Sequence, residues 1–236
     1  MIYRLFDLNI RINERFEDTK LRLQPFLTHQ EEIPDIVIAI NDEELENEEK
    51  IDPGRDMPYH EMMSIMRHIA EEIPDFDGMF IHSAIVSVDD EGYMLLGKSG
   101  AGKSTQAGLW KKYFGEKCEI INGDKPVIRF FEDGIYAYGS PWCGEQGWYV
   151  NKKVCLKAAC FINKSDTNSI TRQATAVTFS KIHSQTVVPK RADRRVKHYE
   201  LLDELLGGIE FYELYATLSE EAVKKAYGEM SKNGKE

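Results

Sequence analysis

The chain has 236 residues, 42% hydrophobic and 30% charged, proportions that fit one large soluble domain or a small domain joined to a medium one. Its formal net charge of −10 argues against a nucleic-acid partner, because phosphate backbones are held mainly by Lys and Arg. No apolar run reaches the ~18 residues of a membrane span, and the amino terminus lacks the apolar core of a secretion signal.

In chain order, Ile2 to Ile12 has the period of two of a strand, and the apolar run between Asp35 and Asn41 is a short buried strand. The acidic block NDEELENEEK after it is expected to be an exposed loop. Tyr59 to Ile73 carries apolar residues at Met62, Ile65, Met66, Ile69 and Ile73, the spacing of an amphipathic helix that Pro74 ends. A soft boundary near Pro74 and Asp75 divides a small N-terminal α+β segment, residues 1–76, from a larger unit, residues 77–236.

From Met79 the pattern turns to strands. IHSAIVSV, a DDEG turn and YMLLG form an expected hairpin, with Val88 facing Tyr93 and His82 therefore facing Ser99. Ser104 to Phe114 is an expected helix closed by Gly115. A brief strand from Cys118 to Ile121 and the hairpin VIRFF-EDG-IYAYG follow, then the strand KAACFI (Lys157 to Ile162). Helices are expected at Thr175 to Ser184, Arg194 to Leu206 and Glu220 to Met230, with a strand at FYELYA. Alternation of hairpins and helices makes the class α/β with a mixed β-sheet. The cysteines Cys118, Cys143, Cys155 and Cys160 form no CxxC pair and no zinc or disulfide pattern, so a reducing cytoplasm is the expected location.

One motif carries chemistry. Gly97-Lys98-Ser99-Gly100-Ala101-Gly102-Lys103-Ser104 fits the P-loop pattern G-x-x-x-x-G-K-S without a mismatch, between an apolar strand and a helix. Its glycines let backbone N–H groups turn toward phosphate oxygens, Lys103 supplies a mobile positive charge, and Ser104 offers a hydroxyl to Mg2+. With Thr105 at the next position, this stretch is the expected seat of ATP. Asp124, about twenty residues beyond Lys103, is the candidate carboxylate for the metal; its plain alternative is an Asp in a turn beside Gly123. Asn163-Lys164-Ser165-Asp166 matches the letters of a guanine-reading N-K-x-D, which gives GTP some weight. A motor's glutamate is absent, since Lys125 follows Asp124, and so is a transporter's LSGGQ. His82 at the mouth of the cradle could bond a phosphate or assist proton movement; its plain alternative caps a strand end.

His82 fifteen residues before Gly97, the GxSGxGKS-type loop and an Asp after a short strand together resemble HPr kinase/phosphorylase, whose fold is shared with phosphoenolpyruvate carboxykinase. The resemblance is good from about Phe80 to Ile162 and weaker to the end, and is closer to compact HPr-kinase-related proteins. It implies ATP-dependent phosphorylation of a serine-type hydroxyl on a peptide or protein, with Asp124 as metal ligand or base, and a homo-oligomer. Lys125 stands where the family carries a second Asp, and Tyr138 to Trp148 (YGSPWCGEQGW) replaces its Glu and Arg-Gly signature. That rigid aromatic loop either holds an acceptor or plugs a sheet end. Arg172 could clamp a γ-phosphate. The basic island Pro189 to His198 is either a solvated loop and helix start or a surface for an acidic substrate. Two alternatives to the protein kinase stand beside it: a nucleotide-binding sensor without transfer, and a small-molecule kinase using that island as a lid.

Overall fold

A computed structural model describes residues 1–28 and 33–232, so small parts of both expected segments lie outside it. The amino-terminal alternation is not one strand. It breaks into β1 (Ile2–Leu5) and β2 (Leu8–Asn13), joined at Phe6 and Asp7, both with positive φ (58° and 63°). Two left-handed residues are the requirement of a tight hairpin, and burial of Phe6 edge-on against Phe80 and Tyr138 supplies a reason for a phenylalanine to adopt that conformation. After α1 (Glu17–Leu23), β3 (Ile36–Ala39) adds parallel to β2.

The acidic block is not a loop but helix α2 (Asp42–Ile51). Asn41 and Glu44 form a reciprocal capping box, and three acidic residues occupy the first turn, where the helix dipole favours them. Leu45 is buried, and Glu48 and Glu44 pair with Arg67 and His68 of α3 (Met57–Glu72). Two of the block's carboxylates are thus partnered by a neighbouring helix. α3 buries Met62, Ile65, Met66 and Ile69, and Pro74 lies in a short 3-10 turn beyond it.

The main sheet has nine strands among the described residues. In order come β4 (Gly78–Phe80), β5 (Ser83–Val88), β6 (Glu91–Leu96), α4 (Lys103–Phe114), β7 (Cys118–Asn122), β8 (Val127–Phe131), β9 (Gly134–Tyr138), β10 (Lys153–Lys164), β11 (Ser169–Arg172), α5 (Thr175–His183), α6 (Ala192–Gly208), β12 (Glu210–Ala216) and α7 (Glu220–Met230). β10 pairs along one edge with β6. Along the other it pairs first with β9 and then with β12. Pairing also runs from β9 through β8 to β4, whose chain continues into β5, itself paired with β6. The mixed sheet is therefore strongly curled.

Alternation along the strands sorts the core. Met79, Ile85, Met94, Leu96 and Phe161 pack with Leu201, Leu202 and Leu205 of α6. Ala84, Val86, Tyr93, Leu95 and Cys160 pack with Trp110 of α4 and with Val223 and Ala226 of α7. A third cluster joins residues before Asp77 to Phe80, Val127, Tyr138 and Trp142. Among the described residues, no helix is long and apolar enough to cross a membrane.

The basic island is largely spoken for. Arg194, 7% exposed, reaches Glu72 and Asp75, Lys197 pairs with Asp77, and Arg191 with Asp193. Arg194 thus pins α6 to the end of α3 and is not a mobile lid residue. Arg194→Ala is expected to lower unfolding stability by about 2 kcal/mol, the scale of lost charged hydrogen bonds at a buried site. Urea denaturation checks this, and an unchanged midpoint would contradict the pinning.

Candidate active site

β6 ends at Leu96 and the chain turns sharply at Gly97, φ 148°. A Cβ there would lie 2.9 Å from the Ala101 Cβ, so only glycine lets the loop fold back on itself. Gly102, φ 106°, caps α4 in a left-handed conformation, and the helix begins at Lys103. The free N–H groups and positive dipole end of α4 thus open onto the loop. Lys103 is 8% exposed and donates from Nζ to the Gly97 carbonyl at 3.0 Å. Burial lowers its pKa, the Asp124 charge partly offsets that, and Lys125 adds to the lowering.

Asp124 arrives by a different route from the one the hairpin suggests. Asp89 and Asp90 form a two-residue turn with φ 49° and 65°, so Val88 pairs with Glu91, not with Tyr93. The ladder is two residues tighter than expected, and His82 is not opposite Ser99. Its decisive neighbours lie on the other edge. Gly78 pairs with Arg129 and Ile85 with Asn122 in a single antiparallel register, and the Ile81 and Ser83 amides donate to the Pro126 and Asp124 carbonyls across the gap. That register sets His82 opposite Lys125. The His82 amide donates to the Gln185 carbonyl at 2.7 Å, which fixes it from outside.

The result is a three-residue charge cluster. His82 Nε2 lies 3.0 Å from Asp124 Oδ1, and Lys125 Nζ lies 2.7 Å from Oδ2. Burial raises the Asp124 pKa, but the His82 hydrogen bond and the Lys125 ammonium outweigh it and hold the carboxyl down at about 2. Buried Asn122 secures the turn: its Oδ1 accepts from the Asp124 amide, and its Nδ2 donates to Ser140.

The loop and the His82–Asp124 pair share one open cleft of about 560 Å³, lined by His82, Ser99, Gly100, Gly102, Lys103, Ser104, Thr105, Gly123, Asp124, Gly144, Glu145, Gln146, Lys164 and Leu218. Gly97, Lys98 and Ala101 line instead a second cleft of about 600 Å³, which shares Ser99, Gly100 and Lys164 with the first. The two parts of the YGSPWCGEQGW loop lie in different places. Trp142 plugs the sheet end, donating to the Met62 carbonyl at 2.9 Å against Phe80, while Gly144 to Gln146 rim the cleft beside Asp124. Cys143 is buried, and burial pushes its thiol up, away from reactivity. Arg172 pairs with Glu210 and lines neither cleft. Asn163 donates its amide to Glu213 at 2.9 Å.

Among the described residues, no group of three or more His, Cys, Asp or Glu forms a metal cage. Mg2+ on a triphosphate needs no such cage, taking one or two carboxylates with phosphate oxygens. Asp124 and the Ser104 hydroxyl, on one cleft, fit that demand. Sequence inspection missed Lys125 as a partner of Asp124 and Leu218 as a cleft residue; Lys164, noted there only as part of the N-K-x-D letters, lines the cleft. Only the tertiary register and the parallel pairing of β10 and β12 bring them in.

No family model matches the chain, and no curated protein matches it. Among solved structures the chain is similar to the Hpr(Ser) kinase/phosphatase from Coxiella burnetii, at 12% identity and a TM-score of 0.29, over 54% of this chain and 94% of that one. This is a distant similarity, and it carries no argument about activity.

Lys125→Met is expected to raise the Asp124 carboxyl pKa by roughly one unit, since a cation in contact with one oxygen is lost. Carboxyl ¹³C NMR across a pH series measures it; an unshifted titration would contradict the ion pair.

Proposed function

We propose that the chain is an ATP-dependent kinase that transfers the γ-phosphoryl group to a serine-type hydroxyl of a peptide or protein. One observation carries this: the glycine loop with Lys103 and Ser104 and the His82–Asp124 pair line the same cleft. A donor cradle alone would serve any triphosphate-binding protein. A clamped carboxylate and an imidazole facing it supply the acceptor side of a transfer.

In this reading the loop amides and the α4 dipole hold the β- and γ-phosphates, and Lys103 leaves the Gly97 carbonyl to follow the charge that migrates toward the leaving group. Asp124 and Ser104 would hold Mg2+, which supplies charge neutralisation at the phosphates when bound. The acceptor hydroxyl enters over Gly144 to Gln146. Its oxygen forms a bond to the γ-phosphorus as the bond from that phosphorus to the bridging oxygen breaks, and ADP leaves. The transition state of such transfers is loose, so the hydroxyl proton departs late, and the Asp124–His82 pair gives it a path to solvent. The catalysis is mostly positioning and charge.

A second reading, a nucleotide sensor without transfer, draws on Lys125, which occupies an Asp124 oxygen that a more acidic site would leave to metal. Incubation with γ-labelled ATP and serine peptides encoded beside this gene distinguishes the two. The kinase predicts acceptor-dependent transfer that Asp124→Asn reduces about a hundredfold or more, with ATP still bound. ATP binding without transfer to any acceptor would contradict the kinase and leave the sensor.

A further inference from the structure

The cleft that holds the glycine loop and Asp124 also takes in residues from two further strand ends. β6 runs parallel to β10 and β10 parallel to β12, while β5 is antiparallel to both β6 and β7. The carboxyl ends of β7, β6, β10 and β12 therefore share one rim, where open α/β sheets bind ligands. Along that rim Asp124 follows β7, the glycine loop follows β6, Lys164 ends β10, and Leu218 lies just past β12. All four positions line the one cleft. With the acceptor chemistry at the Asp124 end, the other end of this cleft lies at Lys164 and Leu218.

Leu218 is 71% exposed, and slack in its loop is not the reason. The Thr217 amide donates to Asn168 Oδ1 at 2.7 Å, and the Thr217 carbonyl accepts from the buried Gln106 amide of α4. Ser219 caps α7 through the Ala222 amide, and the Ser165 amide ties the end of β10 to the Ala216 carbonyl. The backbone on both sides of Leu218 is thus held while an apolar residue lines the cleft that Lys164 also lines. In the neighbouring 600 Å³ cleft Glu213 already accepts from both Asn163 and Lys181, while Gln185 Oε1 is buried without a partner.

We propose that the nucleobase of the bound triphosphate lies at the Lys164–Leu218 end of the cleft, with its face on Leu218. This rests on the triphosphate reading above. It draws on Lys164 of the N-K-x-D run but not on its Asn163, which is turned to Glu213.

The test is calorimetric titration of the full chain with Mg·ATP and, separately, with Mg·tripolyphosphate, which has the phosphates but no nucleoside. Leu218→Asp is expected to weaken ATP roughly tenfold, the scale of one base-face contact, and to leave tripolyphosphate unchanged. Leu218→Met is expected to retain ATP affinity. Equal ATP affinity in wild type and Leu218→Asp, or an equal loss for both ligands, overturns the base subsite. Wild-type protein that binds neither ligand overturns the triphosphate reading itself.

Discussion

One antiparallel ladder holds this site together. Residues from Gly78 to Val88 face residues from Arg129 back to Cys118, and the pairing crosses the loop region at Ile81 to Ser83 and Asp124 to Pro126 without losing register before a bulge beyond Ile85. Because His82 and Lys125 meet in mid-ladder, their positions are fixed by backbone hydrogen bonds and not by side-chain rotamers alone. The same strand, β5, pairs on its other edge with β6, which delivers the glycine loop. Donor cradle and charge cluster are therefore two products of adjacent ladders, and neither can shift far without breaking the sheet between them.

The electrostatics follow from that geometry. Asp124 is only partly exposed, yet the His82 hydrogen bond and the Lys125 ammonium keep it ionised, and its own backbone amide is absorbed by Asn122. Lys103 is the opposite case, a cation whose burial works against its charge. A site with a committed anion and a reluctant cation a short distance apart is suited to receive an anionic ligand, because phosphate charge relieves the lysine while Asp124 remains available to a metal. Lys125 sets a limit on this, since it competes for one of the two oxygens.

Most of the elements were legible because periodicity and punctuation agreed: α3, α4, α7 and the β8–β9 hairpin lie within a residue or two of where the pattern puts them. The failures have separate causes. Charge density hid α2, although Asn41 and Glu44 carried the capping-box signature in plain view. Phe6 is not a turn residue by preference, so the β1–β2 hairpin was invisible until its burial was known. Placing the turn over DDEG, instead of at Asp89 and Asp90 alone, shifted His82 by two residues. β11 is a short edge strand, mostly exposed, with no alternating core face to read. For the site, the glycine loop was readable because its chemistry is local. The pairing of His82 and Lys125 with Asp124, and the approach of Leu218, depend on strand order, which local sequence does not encode.

The central claim is that the glycine loop and Asp124 act on the same triphosphate. A crystal structure with Mg2+ and a non-hydrolysable ATP analogue tests it most directly. The account predicts phosphates on the amides of Gly100 to Ser104 and a metal ion bridging them to Ser104 and Asp124. Nucleotide bound elsewhere, or on the loop with Asp124 still held only by His82 and Lys125 and no metal between, would contradict it.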